Sequence, residues 1–244
     1  MSLLDTIITK PKMMPPKGIW YGRPGVGKST AGGAIPGALV LNCENGLGAI
    51  ACEQTPYVST WIEIKAWLSE LQHNEHKYKA LVIDTIDWLL RRMEEHVSGC
   101  AEKAENTLNK SQGGYGNGPQ VLKNLIYQQL LPTLDRINRR GMAVIMLAHA
   151  SRAEVTDADG VTIEKTAPDL GVHLNTLTEW SDFVCLVKRE PDGSRIMVTD
   201  ETPSAVAKNR YSLPEVVSLD WGEFCRHIAA GVKKTVTTKT TEEK

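Results

Sequence analysis

The sequence has almost no net charge and no long apolar run. Its 28 Lys and Arg residues nearly balance 29 Asp and Glu residues, so the formal net charge is −1. A nucleic-acid partner would have to be held by a local basic patch, because the overall field attracts neither sign. No window approaches the roughly 18 apolar residues of a membrane span, and residues 1–18 lack the features of a signal peptide. We expect a soluble, cytoplasmic protein.

Paired cysteines and metal-binding clusters are also lacking. The five cysteines are odd in number and widely spaced, with no CxxC pair and no Cys/His cluster of zinc-finger spacing. They are Cys43, Cys52, Cys100, Cys185 and Cys225. This pattern argues against a disulfide framework and a zinc finger, and no nucleophile triad is evident. We expect reduced thiols.

The chain of 244 residues is long enough for one sizeable core. Apolar strand-like runs alternate with helical patterns, which favours an α/β fold: a mostly parallel central sheet flanked by helices, with antiparallel strands at the C-terminal edge. We predict an N-terminal extension over 1–16, a core over 17–230 and a disordered tail over 231–244, since the last residues lack apolar content.

Two segments break the periodicity. The polar, glycine-rich segment 106–118 is predicted to be a mobile loop. Segment 151–172 is the second candidate loop, with room for a small hairpin around Asp159 and Gly160. Between them, residues 120–139 predict an amphipathic helix that Pro132 kinks.

The strongest motif is GRPGVGKST, which matches GxxxxGK[ST] in full and stands between a predicted strand and a predicted helix. The motif predicts a loop whose backbone N–H groups enclose nucleotide phosphates. Lys28 would reach the β- and γ-phosphates of ATP, and Ser29 would bind Mg²⁺. The predicted nucleotide-binding residues are Gly22, Arg23, Pro24, Gly25, Val26, Gly27, Lys28, Ser29 and Thr30.

Three polar residues at strand ends are candidates for the same site. Asp84 closes the run Leu81-Val82-Ile83 and suits an acid that holds Mg²⁺ through water. Asp87 competes for this role, although its position is more typical of a helix start. Glu44 follows the second strand, where it would either polarise the attacking water or lie in a solvated turn. His149 follows the strand 142–148, as a γ-phosphate sensor or as a structural histidine.

Lys208 and Arg210 form a further cationic pair. Two cations two residues apart in an extended segment point the same way, as a phosphate clamp requires. The alternative is a solvated basic turn. An arginine finger is commonly supplied by a neighbouring subunit.

The ordered segments GRPGVGKST, LVLNCENG, ALVIDTID, VIMLAHA and AKNRYSLPEV resemble the core of RecA-like P-loop ATPases over about residues 17–225. Within that group the chain resembles phage-encoded single-strand annealing and recombination proteins, as a core-only member. The resemblance implies that Glu44 is the catalytic glutamate. It also implies that His149, where RecA has glutamine, couples nucleotide state to DNA loops, and that Lys208 and Arg210 act on a neighbouring subunit's ATP.

The resemblance further implies a set of partners. The irregular segments 106–118 and 151–172 match the DNA-binding loops in order, with Lys110, Gly114 and Tyr115 as candidate contacts to single-stranded DNA. A ring or filament of the chain follows from a finger in trans. The remaining expected partners and cofactors are ATP, Mg²⁺ and a single-strand DNA-binding protein, in the host cytoplasm if the protein is phage-encoded.

Three alternatives to a DNA-stimulated annealing or strand-exchange ATPase stay open at this point. One is a nucleotide-dependent regulatory scaffold with negligible hydrolysis. A ring-type helicase or translocase would use the same site for unwinding. A P-loop kinase of a small molecule is disfavoured because no arginine-rich lid follows the core helices, and because Glu44 suits water activation better.

Overall fold

A computed structural model describes residues 13–99, 107–156 and 160–241, with side chains up to residue 231. The strands are β1 (Lys17–Gly22), β2 (Ala38–Asn42), β3 (Ala80–Asp84), β4 (Ala143–Thr156), β5 (Thr162–Pro168), β6 (Phe183–Arg189), β7 (Arg195–Val198), β8 (Lys208–Asn209) and β9 (Val216–Ser218). The helices are α1 (Lys28–Gly33), α2 (Trp61–His73), α3 (Ile86–Ser98), α4 (Asn117–Leu125), α5 (Leu131–Arg139), α6 (Leu174–Trp180) and α7 (Trp221–Thr241).

The strands form one mixed sheet in the order β2-β3-β4-β1-β6-β7-β9. Strands β2, β3, β4, β1 and β6 are parallel, and β7 and β9 continue the sheet in antiparallel pairing. The buried strands are continuous apolar runs because helices cover both of their faces. The predicted fold class, a mostly parallel sheet with antiparallel strands at the C-terminal edge, is therefore confirmed.

Two apolar cores lie on opposite faces of the sheet. One core combines the apolar sides of α2 to α6 with alternate strand residues such as Ile19 and Ile83. The other combines α7 with the intervening residues such as Trp20 and Val82. Helix α1 packs on this second face so closely that a Cβ on Gly32 would lie 2.9 Å from Val82. The face opposite α2 and α3 therefore carries the helix that follows the glycine-rich loop.

Local signals account for where the helices begin and bend. At the start of α2, the Thr60 side chain accepts a hydrogen bond from the Glu63 backbone N–H, while Glu63 caps the Thr60 backbone in return. Helices α4 and α5 are joined by a π-helical turn, Ile126–Leu130, directly before Pro132. Proline has no N–H to donate to the preceding turn, so a local change in winding belongs at this position.

The second irregular segment is more regular than the sequence indicated. Strand β4 continues through Thr156 and pairs with β5 in antiparallel register from Ala150–Pro168 to Thr156–Thr162. The prediction of a loop with a small hairpin was therefore wrong in extent, and the predicted tip at Asp159 lies outside the described residues. Beyond Ala148, β4 is no longer fully buried, and both strands carry mostly polar residues, so no apolar pattern marks them.

Helix α7 extends to Thr241 and therefore overlaps residues 231–244, which the sequence predicts to be a disordered tail. The first irregular segment does lack regular structure from residue 107 up to α4, apart from a 3-10 turn at Leu108–Lys110. The four described cysteines are free, as expected, and Cys100 lies outside the described residues. No helix in the described ranges is long and apolar enough to cross a membrane.

Candidate nucleotide site

The parallel strands bring the predicted site residues to one edge of the sheet. In the strand register Asn42 is opposite Asp84, Asp84 is opposite Leu147, and Gly22 is opposite His149. The carboxyl ends of β1, β2 and β3 therefore lie at one edge of the sheet, together with His149 of β4. This is the edge at which open α/β sheets bind ligands.

The glycine-rich loop, Gly22 to Thr30, runs from the end of β1 into α1. Gly27 is the residue that precedes α1, and its φ of 100° is one that a residue with a Cβ rarely adopts. Gly25 also has a positive φ, 78°. These two glycines let the chain turn sharply enough for consecutive backbone N–H groups to enclose an anion.

Lys28, the first residue of α1, is buried, with 6% of its surface exposed. Its Nζ donates to the carbonyl oxygens of Gly22 at 2.8 Å and Arg23 at 3.1 Å. Burial lowers the pKa of this ammonium, while attraction to Asp84, Asp87 and Glu44 opposes that change. Lys28 therefore lies against the loop and near three carboxylates of the site.

Asp84 ends β3 and is 3% exposed. Burial raises its pKa, and a hydrogen bond from the Ser29 hydroxyl partly offsets this effect. No cluster of three His, Cys, Asp or Glu side chains able to hold a metal occurs within residues 13–99, 107–156 and 160–231. Mg²⁺ at a P-loop needs only a hydroxyl and an acid beside the phosphates, so adjacent Ser29 and Asp84 fit this ion. The two residues that the sequence predicts as Mg²⁺ ligands, Ser29 and Asp84, are thus in contact with each other.

The raised pKa of Asp84 predicts a conflict between stability and function. Folding favours the protonated carboxyl, so the ionised form costs stability above the pKa of the folded state, and this cost vanishes below the ordinary pKa of aspartate. We expect Asp84→Asn to raise the melting temperature of the nucleotide-free protein at pH 7.5 by about 2–4 °C per kcal/mol relieved. Thermal melts of both proteins between pH 4 and 8 check this, and a gain that does not shrink toward pH 4 would contradict it.

His149 lies between two carboxylates. Its Nδ1 is 2.8 Å from Asp87 Oδ2, and its backbone N–H donates to Asp87 Oδ1 at 3.2 Å. Its Nε2 is 3.4 Å from Glu44 Oε1. The Nδ1 side of the ring therefore faces Asp87, and the Nε2 side faces Glu44. The ring is held in one orientation between Glu44, which follows β2, and Asp87 in the first turn of α3.

Asp87 is therefore a site residue whose role the sequence did not reveal. It lies in the first turn of α3, where an acid is common for reasons of helix stability alone. Its position three residues after Asp84 was the available signal, but its partner His149 is 62 residues away along the chain. Only the pairing of β3 with β4 brings the two together.

Lys208 and Arg210 lie at the opposite edge of the sheet. In the pairing of β8 with β6, Lys208 is opposite Val184 near the start of β6, and β6 is parallel to β1. Lys208 Nζ donates to the carbonyls of Thr178 at 2.7 Å and Glu179 at 2.8 Å, at the C-terminal end of α6. Arg210 pairs with Asp182 at 3.2 Å. Neither cation can reach the glycine-rich loop of its own chain.

The candidate DNA residues form an exposed turn. Lys110 ends the 3-10 turn, and Gly114 and Tyr115 follow with positive φ. The Tyr115 side chain is fully exposed. A groove of about 620 Å³ is lined by Leu108 and Pro119, which flank this turn in the sequence, and by Asp87 and His149, whereas Lys110, Gly114 and Tyr115 do not line it.

The glycine-rich loop at the end of β1, the acid at the end of β3 and the strand order define a RecA-like P-loop ATPase core. An AAA domain family, AAA_24, matches residues 14–211, and the chain belongs to this family. Among solved structures, the chain is similar to one described as the RadB recombinase, with 15% identity, a TM-score of 0.44, and coverage of 80% of this chain and 86% of that chain. At that distance the likeness carries no functional argument. A search of curated proteins found no match.

Proposed function

We propose that this protein is an ATPase that binds single-stranded DNA under nucleotide control and promotes annealing or strand exchange in phage DNA recombination. The observation that carries the proposal is the position of His149. Its ring faces Glu44 on the nucleotide side of the sheet, and the same residue lines the groove that also includes Leu108 and Pro119, the residues that flank the exposed turn at Tyr115 in the sequence.

The hydrolytic part of the proposal rests on residues around the glycine-rich loop. Lys28 binds the phosphates, and Ser29 and Asp84 hold Mg²⁺, which would neutralise charge on the phosphate oxygens. Glu44 accepts a proton from the attacking water, because its carboxylate is the candidate base that follows β2 at the same edge. ATP is therefore the proposed substrate.

The second part of the proposal, the coupling of the nucleotide site to the groove, rests on the Asp87–His149 pair. Asp87 holds both the backbone and the ring of His149, so a change at Glu44 reaches His149 as a change in its interaction at Nε2. Asp169 and Leu170 line the same groove and directly follow β5, and the backbone N–H of Asp169 donates to the His149 carbonyl at 2.9 Å. A shift at His149 would therefore be transmitted to the walls of the groove.

The third part of the proposal, DNA binding, rests on the turn at Lys110 and Tyr115. A fully exposed tyrosine ring is a stacking surface for an unpaired base, and base–aromatic stacking contributes about 1–3 kcal/mol. Lys110 is exposed and no ion pair of the described residues includes it, so its ammonium is available to a phosphate. The chain carries little net charge, and this local pairing of an aromatic with a cation supplies the patch that DNA binding needs.

The proposal includes assembly into a ring or filament. Arg210 is 55% exposed at its side chain and lies at the edge of the sheet opposite its own glycine-rich loop. A guanidinium in that position is useful to ATP only if another subunit presents its site to it. Lys208 donates to two carbonyls at the end of α6, whereas the more exposed Arg210 makes one longer contact there, at 3.3 Å to Glu179, so within the pair Arg210 is the proposed finger.

The proposal is tested by ATP hydrolysis with and without single-stranded DNA. We expect DNA to stimulate turnover of the wild-type protein, and Tyr115→Ala to weaken DNA binding by about 5- to 150-fold, which corresponds to the stacking energy of one base. Tyr115→Phe should bind like the wild type because it keeps the ring. Hydrolysis without DNA should be the same in all three proteins.

The outcomes separate the parts of the proposal. Turnover that DNA does not change, together with ATP binding, would leave a P-loop ATPase but remove the DNA function. Equal loss of DNA affinity in Tyr115→Ala and Tyr115→Phe would contradict stacking as the basis of binding. Strand annealing measured with complementary labelled oligonucleotides then separates annealing from processive unwinding.

A further inference from the structure

Arg195 lies directly against the glycine-rich loop. A Cβ built on Gly27 would be 2.6 Å from Arg195 Nε, 2.8 Å from its Cδ and 3.4 Å from its Cζ. The arginine side chain thus occupies the space that the glycine leaves open. The residue that follows this glycine is Lys28, whose ammonium is the proposed phosphate ligand. The two cations therefore lie on either side of one backbone turn.

The hairpin of β6 and β7 fixes the position of Arg195. Strand β6 runs parallel to β1, and its end is so close to the loop that a Cβ on Gly22 would lie 2.5 Å from the Val187 carbonyl oxygen. The chain then turns between Glu190 and Ser194 and returns in β7, with Arg195 opposite Arg189. The Arg195 carbonyl also accepts from Leu219 N–H at 2.9 Å, next to β9. Its backbone is held on both sides.

The guanidinium of Arg195 has no carboxylate partner in the part of the chain that the structure describes. The residue is exposed, and no ion pair or side-chain hydrogen bond within residues 13–99, 107–156 and 160–231 includes it. A planar fork of donors beside a phosphate-binding loop is the arrangement that suits phosphate oxygens. Arg195 also lies on the face of the sheet that α1 covers. Met197, two residues along β7, shares this face and packs in the same core as the strand residues beneath α1.

We infer that Arg195 contacts the phosphates of the bound nucleotide in cis, as a second cation beside Lys28. This inference rests on the proposed ATP site and adds a residue that lies far along the chain from the glycine-rich loop. The β6–β7 hairpin is then a wall of the nucleotide site, and the nucleotide ties β7 to β1 and α1. Arg195 is distinct from the proposed finger Arg210, which would serve a neighbouring subunit.

The test compares Arg195→Ala and Arg195→Lys with a matched control, Lys188→Ala. Lys188 is an exposed cation on the same hairpin, and strand alternation directs it to the opposite face of the sheet. Affinities are measured for MgATP directly and for inorganic tripolyphosphate by competition. We expect Arg195→Ala to bind both about ten-fold or more weakly, as loss of a charged hydrogen bond implies. Arg195→Lys should retain part of the affinity, and Lys188→Ala should match the wild type.

Each outcome has one meaning for the inference. Equal weakening of MgATP and tripolyphosphate supports a contact to phosphate, since tripolyphosphate has no base or sugar. Wild-type affinity in Arg195→Ala overturns the inference while the ATPase proposal stands on wild-type hydrolysis. Equal losses in Arg195→Ala and Lys188→Ala also overturn it, because they indicate a general field effect. If the wild-type protein itself binds no MgATP, the proposed function fails and the inference fails with it.

Discussion

Glu44→Gln should abolish most ATP hydrolysis while leaving ATP binding unchanged. Glutamine keeps the size and polarity of the side chain but cannot take a proton from water, and general-base catalysis contributes about 10²- to 10⁴-fold. We therefore expect turnover to fall by about that factor. Phosphate release under saturating MgATP measures the loss, and the dissociation constant for MgATP, measured separately, should change by less than about three-fold, because Glu44 is assigned to water and not to phosphate.

The matched control for this substitution is Glu70→Gln on α2. Glu70 is exposed and lies on the face of the sheet that α1 does not cover, so the same chemical change there should leave turnover and affinity unaltered. If Glu44→Gln hydrolyses ATP at the wild-type rate, the assignment of Glu44 as the base is wrong. Asp87 is held by His149 through both of its oxygens and is not free to replace it.

The strands and the glycine-rich loop could be predicted from the sequence because their signals are local. Strand β3 contains the apolar run Leu81-Val82-Ile83 and ends at Asp84 as predicted, since a buried parallel strand is an uninterrupted apolar run that ends at its first acid. The loop needs glycine at fixed positions, and Gly25 and Gly27 do adopt positive φ. Wherever burial on both faces or backbone sterics dictate the residue type, the sequence alone identifies the element.

The long hairpin of β4 and β5 could not be predicted in the same way. Its outer part stands away from the core, so neither face is consistently apolar, and residues such as Arg152 and Glu164 pair across the strands at 3.0 Å. Cross-strand pairing of polar residues leaves no periodic pattern in one strand taken alone. The segment was therefore mistaken for a loop.

The contacts between the site residues also could not be predicted from the sequence. Glu44, Asp87 and His149 were each noticed at an element boundary, but their mutual distances depend on the strand order. Lys208 and Arg210 were assigned one shared role, whereas the structure gives Lys208 the carbonyls at the end of α6. The spacing of two residues does give the two side chains a common direction, because Arg210 Nη2 also donates to the Glu179 carbonyl, at 3.3 Å, but that shared partner belongs to the same chain.

Lys28→Met should remove the stabilisation of the protein by nucleotide. Truncating one partner of a buried charge pair costs about 2–5 kcal/mol, so the affinity for MgATP should fall by about 30-fold or more. Ligand binding raises the free energy of unfolding in proportion to the logarithm of concentration over dissociation constant. At a MgATP concentration about ten times the wild-type dissociation constant, which shifts the wild-type melting temperature clearly, the variant should show only a small fraction of that shift.

The nucleotide-free protein should tolerate the same substitution, and this separates a lost contact from a lost fold. Burial already lowers the pKa of Lys28, so the fold does not favour the charge, and methionine fills a similar volume. The carbonyls of Gly22 and Arg23 lose their hydrogen-bond donor, and this loss lowers the stability of the variant. Lys65→Met, on the exposed side of α2, is the matched control and should keep the full shift. An undiminished shift in Lys28→Met would mean that the glycine-rich loop binds nucleotide without its lysine, and the Lys28 assignment would then be wrong.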